Sequence, residues 1–379
     1  MGAWPGKYVI GLTGNIATGK SVVRKMLEHL GAYGIDADAL SHRAIAKGAP
    51  GYKSVVDIFG KWVLDPDGHV DRDKLGRLVF SNPEALVTLE KIIHPLVRDA
   101  IDVLARRASQ KVIVIEAIKL LEGETRSYCD AIWVTDASED IQMMRLIQKR
   151  KLKSEDAWER IHSQGSQDVK LNAADVVINN DKSFEETWKQ VAAAWQLTVP
   201  AESAAPAPVK KKPVAIGELD VRRARPQEAQ DIAGFITRIT SGRRRLTRDD
   251  IMAAFGEKAF LFLSLGERIV GLMGWQVENL VARVDDVYLE ANLPLLDTMK
   301  VMTTEIESAS KELQCEAALL FLPPELARHT EVWKILDYVP RAVKDLGVRA
   351  WQDAAMESMP PGTVMLFKQL RKDRILRPV

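Results

Sequence analysis

The sequence predicts an α/β protein: a parallel sheet covered by helices, followed by a second, smaller α+β unit. Three observations predict it. Continuous apolar runs alternate with longer amphipathic stretches through the first part of the chain. Residues 200–217, PAESAAPAPVKKKPVAIG, then break every period. Beyond them strands follow one another through glycine-containing turns. Continuous apolar strands alternating with helices imply strands buried on both faces, which is the parallel arrangement.

The elements read in order. Tyr8–Leu12 is a short buried strand, followed by a glycine-rich turn and a helix over Lys20–Leu30. Gly34–Asp38 is a short strand ending in two carboxylates. KVIVIE (111–116), AIWVT (131–135) and DVVINN (175–180) are further strands, separated by helical patterns over Pro83–Arg107 and Ile141–Lys151. The Ala/Pro stretch 200–217 has linker composition and divides the chain into 1–199 and 218–379. Its Lys210–Lys212 run is a solvated spacer or a nucleic-acid contact.

Composition narrows the function classes. Of 379 residues 46% are apolar and 28% charged, enough for two cores under a soluble surface. Lys and Arg (53) balance Asp and Glu (52), so no nucleic-acid partner held by bulk positive charge is expected. Cys129 and Cys315 lie far apart with no metal-ligand spacing, which predicts neither a disulfide framework nor a zinc site. No apolar run approaches a membrane span, and Met1–Lys7 lacks the apolar segment of a signal peptide. The expectation is a cytoplasmic protein with no membrane partner; its oligomeric state is not legible.

The strongest motif is Gly14-Asn15-Ile16-Ala17-Thr18-Gly19-Lys20-Ser21, which matches G-x-x-x-x-G-K-S/T in full between a strand and a helix. The glycines let the backbone curl so that successive N–H groups face phosphate oxygens at a helix N-terminus. Lys20 is expected to neutralise the terminal phosphates of ATP, and the Ser21 hydroxyl to ligate Mg²⁺. No D-x-x-G and N-K-x-D pair follows, since N-K-x-D is absent, which argues against a GTPase and for a compact nucleotide-dependent kinase fold. Asp36 and Asp38, two apart on an extended segment, point to one side. There one carboxylate can take a proton from an acceptor hydroxyl, or the D-A-D can simply cap the next helix.

GLTGNIATGKS followed by GIDADALSHR resembles the dephospho-CoA kinase family. The resemblance continues through Leu75, Phe80, Pro83, Leu89, Ile92, His94, Pro95 and Val97, then DASEDIQMMRLIQKR, ERIHSQ and ADVVINN, across residues 7–200. It implies a P-loop kinase with a helical lid that phosphorylates the ribose 3′-hydroxyl of dephospho-CoA, using ATP and Mg²⁺. Asp38 would be the general base, with Asp36 supporting it or acting through a metal-bound water. His94 would either contact substrate or, beside Pro95, begin or bend a helix. Arg145 and Arg150 would come from the lid to the transferring phosphoryl group, and Asn179 and Asn180 would lie near the adenine. Two positions depart from the family. Lys149 stands where a second lid arginine is usual, which makes Arg150 the better candidate because Lys cannot form the planar bidentate contact. A Pro is missing from Ile115–Glu122, where Lys119 is new, Glu122 keeps the acidic position, and Glu116 serves the Mg²⁺ water shell or caps a turn. Another nucleoside or nucleotide kinase, or a non-catalytic CoA-responsive binding protein, are the alternative readings.

The second unit opens with LDVRRARPQEAQDIAGFITRIT, a strand into a helix, then AFLFLSLGERIVGLMGWQVEN as a hairpin. ARVDDVYL, a helix over Leu295–Leu313 and EAALLFLPPEL complete a strand–helix–meander–helix–strand order. That order resembles the GNAT acetyltransferases. The glycine-rich acetyl-CoA loop should follow VDDVYL, yet Glu290–Leu295 contains no glycine, and Pro294 lacks an N–H. Acetyl transfer is therefore not expected, and a degenerate module for dimerisation or regulation is. The Arg243–Arg245 run is a solvated loop or a phosphate contact.

Overall fold

The computed structural model describes residues 3–204, 219–291, 293–373 and 375–376. The first sheet holds β1 (Tyr8–Thr13), β2 (Tyr33–Asp36), β3 (Val112–Glu116), β4 (Ala131–Asp136) and β5 (Val176–Asn179). All four ladders are parallel and the order is β2-β3-β1-β4-β5. Its helices are α1 (Lys20–His29), α2 (Ala37–Ala44), α3 (Tyr52–Phe59), α4 (Arg72–Ser81), α5 (Pro83–Arg107), α6 (Glu139–Arg150), α7 (Ser154–His162), α8 (Gln167–Asn172), α9 (Phe184–Thr198) and α10 (Ala201–Ala204).

Strand alternation sorts the apolar runs into two cores. Val9, Ile113, Ile115, Ile132 and Val134 face α2 and α5. Ile10, Leu12, Val112, Val114 and Trp133 face α1 and α9 through Val23, Met26, Leu27, Val191 and Trp195. Every residue of β3 is buried, as a strand covered on both sides requires. The carboxyl ends of β1, β2 and β3 open onto one edge, where β1 runs into the glycine loop. Open α/β sheets bind ligands at that edge.

The second sheet holds β6 (Leu219–Arg223), β7 (Ala259–Leu265), β8 (Arg268–Glu278), β9 (Val281–Leu289), β10 (Ala317–Leu322), β11 (Val339–Pro340) and β12 (Val364–Gln369), in the order β11-β12-β10-β9-β8-β7-β6. Its helices are α11 (Ala229–Ile239), α12 (Arg248–Ala254), α13 (Leu295–Glu312), α14 (Pro324–Ala327), α15 (Thr330–Ile335) and α16 (Arg349–Ser358). β9 and β10 are parallel and the other ladders antiparallel. The parallel pair is short: it runs from Val281 to Val284 against Ala317 to Leu320, and β9 then continues to Leu289 beside β8 alone. The order of elements is the one read from the sequence, with β11 and β12 added. No strand is shared between the two sheets among the described residues.

The halves are nonetheless joined. Leu280, Leu313, Ile375 and Leu376 pack into the core of the first sheet. Ion pairs Arg43–Glu316, Arg107–Asp373 and Arg248–Glu185 cross between the halves. Of the stretch read as a linker, 205–217 and with it Lys210–Lys212 lie outside the described residues. No helix of the described residues is long and apolar enough to cross a membrane.

Candidate functional site

The loop from Gly14 to Ser21 has the left-handed turns it needs, at Gly14 (φ 149), Ala17 (φ 60) and Gly19 (φ 98). Glycine is required twice for space as well. A Cβ on Gly14 would lie 2.5 Å from Thr135 O, and one on Gly19 would lie 1.9 Å from Asn180 Nδ2. The Lys20 ammonium is buried and donates to the carbonyls of Gly14 (3.0 Å) and Asn15 (3.1 Å). Burial holds its pKa below the ordinary lysine range, while Glu116 and Asp38 pull it back up. Arg150 lies close enough to lower it further.

Glu116 ends β3 and is 4% exposed. One of its oxygens accepts from Ser21 Oγ at 2.9 Å, the other from Arg24 Nε at 2.6 Å. Arg24 is in turn bonded to Glu28 (2.7 Å) and lies 4.0 Å from Asp36. The Ser21 hydroxyl and two carboxylates, Glu116 and Asp36, thus lie at the ends of the loop, β3 and β2, with Arg24 between the carboxylates.

Asp36 and Asp38 are not both on an extended segment, as the sequence reading had them. Asp36 ends β2 and caps α2, accepting from Ala39 N at 2.8 Å. Asp38 lies in the first turn of α2, where it accepts from Ile118 N at 3.1 Å. The helix cap is Asp36, and Asp38 is turned instead to the segment after β3. Burial raises the pKa of the Asp38 carboxyl; Lys20 and the Ile118 N–H oppose that shift.

A scan of family models matches residues 8–186 to the dephospho-CoA kinase family. The dephospho-CoA kinase of Streptomyces avermitilis is 40% identical over 187 residues, covering 49% of this chain and 91% of that protein. That of Geobacter metallireducens is 40% identical over 191 residues, covering 50% and 95%. The chain belongs to the dephospho-CoA kinase family. It is an ATP-dependent kinase that converts dephospho-CoA to coenzyme A, the last step of CoA biosynthesis. In the other half, a GNAT-family acetyltransferase structure from Staphylococcus aureus Mu50 is 13% identical with a TM-score of 0.33, covering 41% of this chain and 100% of that one.

Within this kinase the remaining expected residues fall at distinct places. Arg145, on α6, donates to Ala17 O (2.9 Å) and Asn180 O (2.6 Å), so its guanidinium ties the loop to the end of β5. Arg150, at the end of α6, is exposed, and the Lys149 side chain lies outside the described residues. Asn179 is exposed and turned to Asp181, whereas buried Asn180 donates to Thr18 O at 2.9 Å. Successive strand residues face opposite ways, so only one of the pair can reach the loop.

His94 does not begin a helix, because α5 starts at Pro83 behind the Asn82 cap and runs through Pro95. It is exposed, one turn beyond Glu90, which pairs with Lys119 at 3.0 Å. That face of α5 therefore borders the segment after β3.

Two residues escaped the sequence reading. Lys170 is buried and donates to Asn15 Oδ1 at 2.6 Å; burial and the Lys20 charge lower its pKa to about 8. Gln167, one turn earlier on α8, accepts from Asn15 N at 3.0 Å. Their i, i+3 spacing beside ADVVINN was the available signal. Gln164, within ERIHSQ, accepts from Ile16 N at 2.8 Å.

The Asp36 carboxyl is pushed up to about 6 by burial and then by Glu116. Its unfolded value is about 4. Between those values the folded state keeps a proton that the unfolded state has lost, so stability falls as pH rises through the window. Asp36→Asn keeps the cap, since Asn accepts equally well. Its thermal midpoint should exceed that of the wild type at about pH 7.5, and the gap should close on acidification to about pH 4. Equal midpoints throughout would remove Asp36 from this electrostatic balance.

Proposed function

We propose that residues 1–199 form the kinase domain and transfer the γ-phosphoryl of ATP in line to the 3′-hydroxyl of dephospho-CoA, with Asp38 as general base. The supporting observation is Asp38 itself: a carboxylate of raised pKa, held by Ile118 N and electrostatically coupled to Lys20. A base of raised pKa lies nearer the working pH and accepts a proton more effectively in the transition state. Lys20, Lys170 and Arg150 bring positive charge to the terminal phosphates, and positioning plus charge neutralisation carry most of the catalysis. Arg145 and Asn180 hold the loop at its nucleotide end, and the exposed face of α5 bearing His94 borders the acceptor.

Magnesium fits the residues present. Mg²⁺ on a nucleotide needs only one or two protein oxygens, with phosphates and water filling the other positions. Ser21 Oγ and Glu116, already 2.9 Å apart, would hold it. The ion would supply neutralising charge between the phosphates.

For residues 218–379, beyond a 200–217 linker, we propose a GNAT-like module without acetyl transfer. Its order of elements and the parting of β9 from β10 support the likeness. Pro294 precedes α13 where amide donors would be needed, and Asn292 lies outside the described residues. Purified full-length protein should consume ATP with dephospho-CoA and not with a panel of nucleosides. Turnover with nucleosides alone would overturn the acceptor, and binding without turnover would indicate a CoA-responsive binding protein.

A further inference from the structure

The second half docks against the back of the helix that carries Asp38. The β8–β9 hairpin turns through Asn279 (φ 51) and Leu280 (φ 60), both left-handed. Such a conformation is uncommon for leucine. The Leu280 side chain packs into the core of the first sheet, and Asn279 O accepts from Arg43 Nη1. Arg43 is in the last turn of α2, 7% exposed, and its second nitrogen pairs with Glu316 at 2.6 Å. Glu316 is 1% exposed, directly before β10, and is fixed from several sides. Its backbone N–H donates to Leu280 O, and its side chain accepts from Trp351 Nε1 and Ile375 N.

A second tether runs parallel to the first. Lys25 donates to Val277 O at 2.8 Å and to Glu28 at 2.8 Å; Glu28 holds Arg24, and Arg24 holds Glu116, the partner of Ser21. A cleft of about 50 Å³ between the halves is lined by Arg24, Asp36 and Arg43 on one side and Glu278, Asn279 and Leu280 on the other. One end of α2 is thus fixed by Ile118 and β2 within the kinase half, and the other by charge from outside it.

We propose that Glu316 is a positioning residue for phosphoryl transfer: through Arg43 it fixes α2, and with it Asp38, in the geometry of attack. This rests on the assignment of Asp38 as the base. Buried at both ends, the Arg43–Glu316 pair cannot be relieved by solvent, so loss of the carboxylate leaves a buried guanidinium with only the Asn279 carbonyl and no counter-charge, which favours a shift. Arg43 is five residues beyond Asp38 on the same short helix, and a shift at one end tilts the other. An ångström of misplacement at a reacting group is enough to slow transfer greatly. Neither Arg43 nor Glu316 belongs to the Gly14–Ser21 loop, so nucleotide binding is expected to persist.

The test uses the full-length chain. Glu316→Gln should lower kcat by about tenfold to a hundredfold while KM for ATP stays within about twofold. Glu316→Asp, which keeps the charge on a shorter arm, should recover part of the loss. In single-turnover assays Glu316→Gln added to Asp38→Asn should cause no further slowing, because both act through one carboxylate. A folded Glu316→Gln protein with kcat within about twofold of wild type overturns the proposal. So does an equal fold-loss in the Asp38→Asn background. If Glu316→Gln does not fold, Glu316→Asp and Arg43→Lys carry the same readouts, and unchanged kcat in both overturns it. Retained turnover in Asp38→Asn would instead overturn the base assignment, whatever Glu316 does.

Discussion

Asp38→Asn should reduce kcat by about a thousandfold while leaving ATP binding intact. Asn has the shape of Asp and keeps an oxygen for the Ile118 N–H, so α2 stays docked. What is lost is the basic lone pair that takes the proton from the attacking hydroxyl. A thousandfold loss corresponds to about 4 kcal/mol of transition-state stabilisation, a size consistent with one proton transfer. Titration with a fluorescent ATP analogue alongside steady-state assays separates the two effects. A variant that retains more than about a tenth of wild-type kcat would remove Asp38 from the chemistry.

Lys20→Met should lower kcat/KM by about a hundredfold to a thousandfold, because a buried cation next to the phosphates acts with little solvent screening. It should also move the pH profile. Burial raises the Asp38 pKa first; Lys20 opposes that and so does Lys170 more weakly, while Glu116 adds to it. Removing the Lys20 charge therefore raises the Asp38 pKa further. Because the base works only when deprotonated, the acid limb of kcat/KM should shift to higher pH. Lys20→Arg keeps the charge and should return the limb toward the wild-type position even if the rate stays low. An unmoved limb in Lys20→Met would mean that the two groups are not coupled.

The legible parts of this protein are those written in local sequence. The glycine loop, the strand before it and α1 follow from eight consecutive residues and a change of period. α5 spans Pro83 to Arg107 in both readings because Asn82 and Pro83 form a cap and first-turn signal. The D-A-D segment was only half legible. Its residues were singled out, but the break between β2 and α2 falls between them, and a two-residue period cannot reveal that. Asn179 and Asn180 show the same limit: the family resemblance names the pair, and only the packing of the end of β5 brings the second against Thr18. Arg145 was identified as a lid arginine, but its bonds to Ala17 and Asn180 needed α6 to be packed in place.

The sequence by itself determined that a nucleotide-binding loop opens a parallel α/β sheet, that dephospho-CoA kinase signatures follow, and that a second α+β half comes after a Pro/Ala stretch. Its signals are short-range periods and motifs, which local backbone geometry enforces. The tertiary structure alone decided which charges meet. Glu116 reaches Ser21 across 95 residues because β1 and β3 are sheet neighbours. Arg43 reaches Glu316 across 273 because a hairpin tip docks into the first core. Buried ion pairs depend on proximity in space and exclusion of water, and neither leaves a period in the chain.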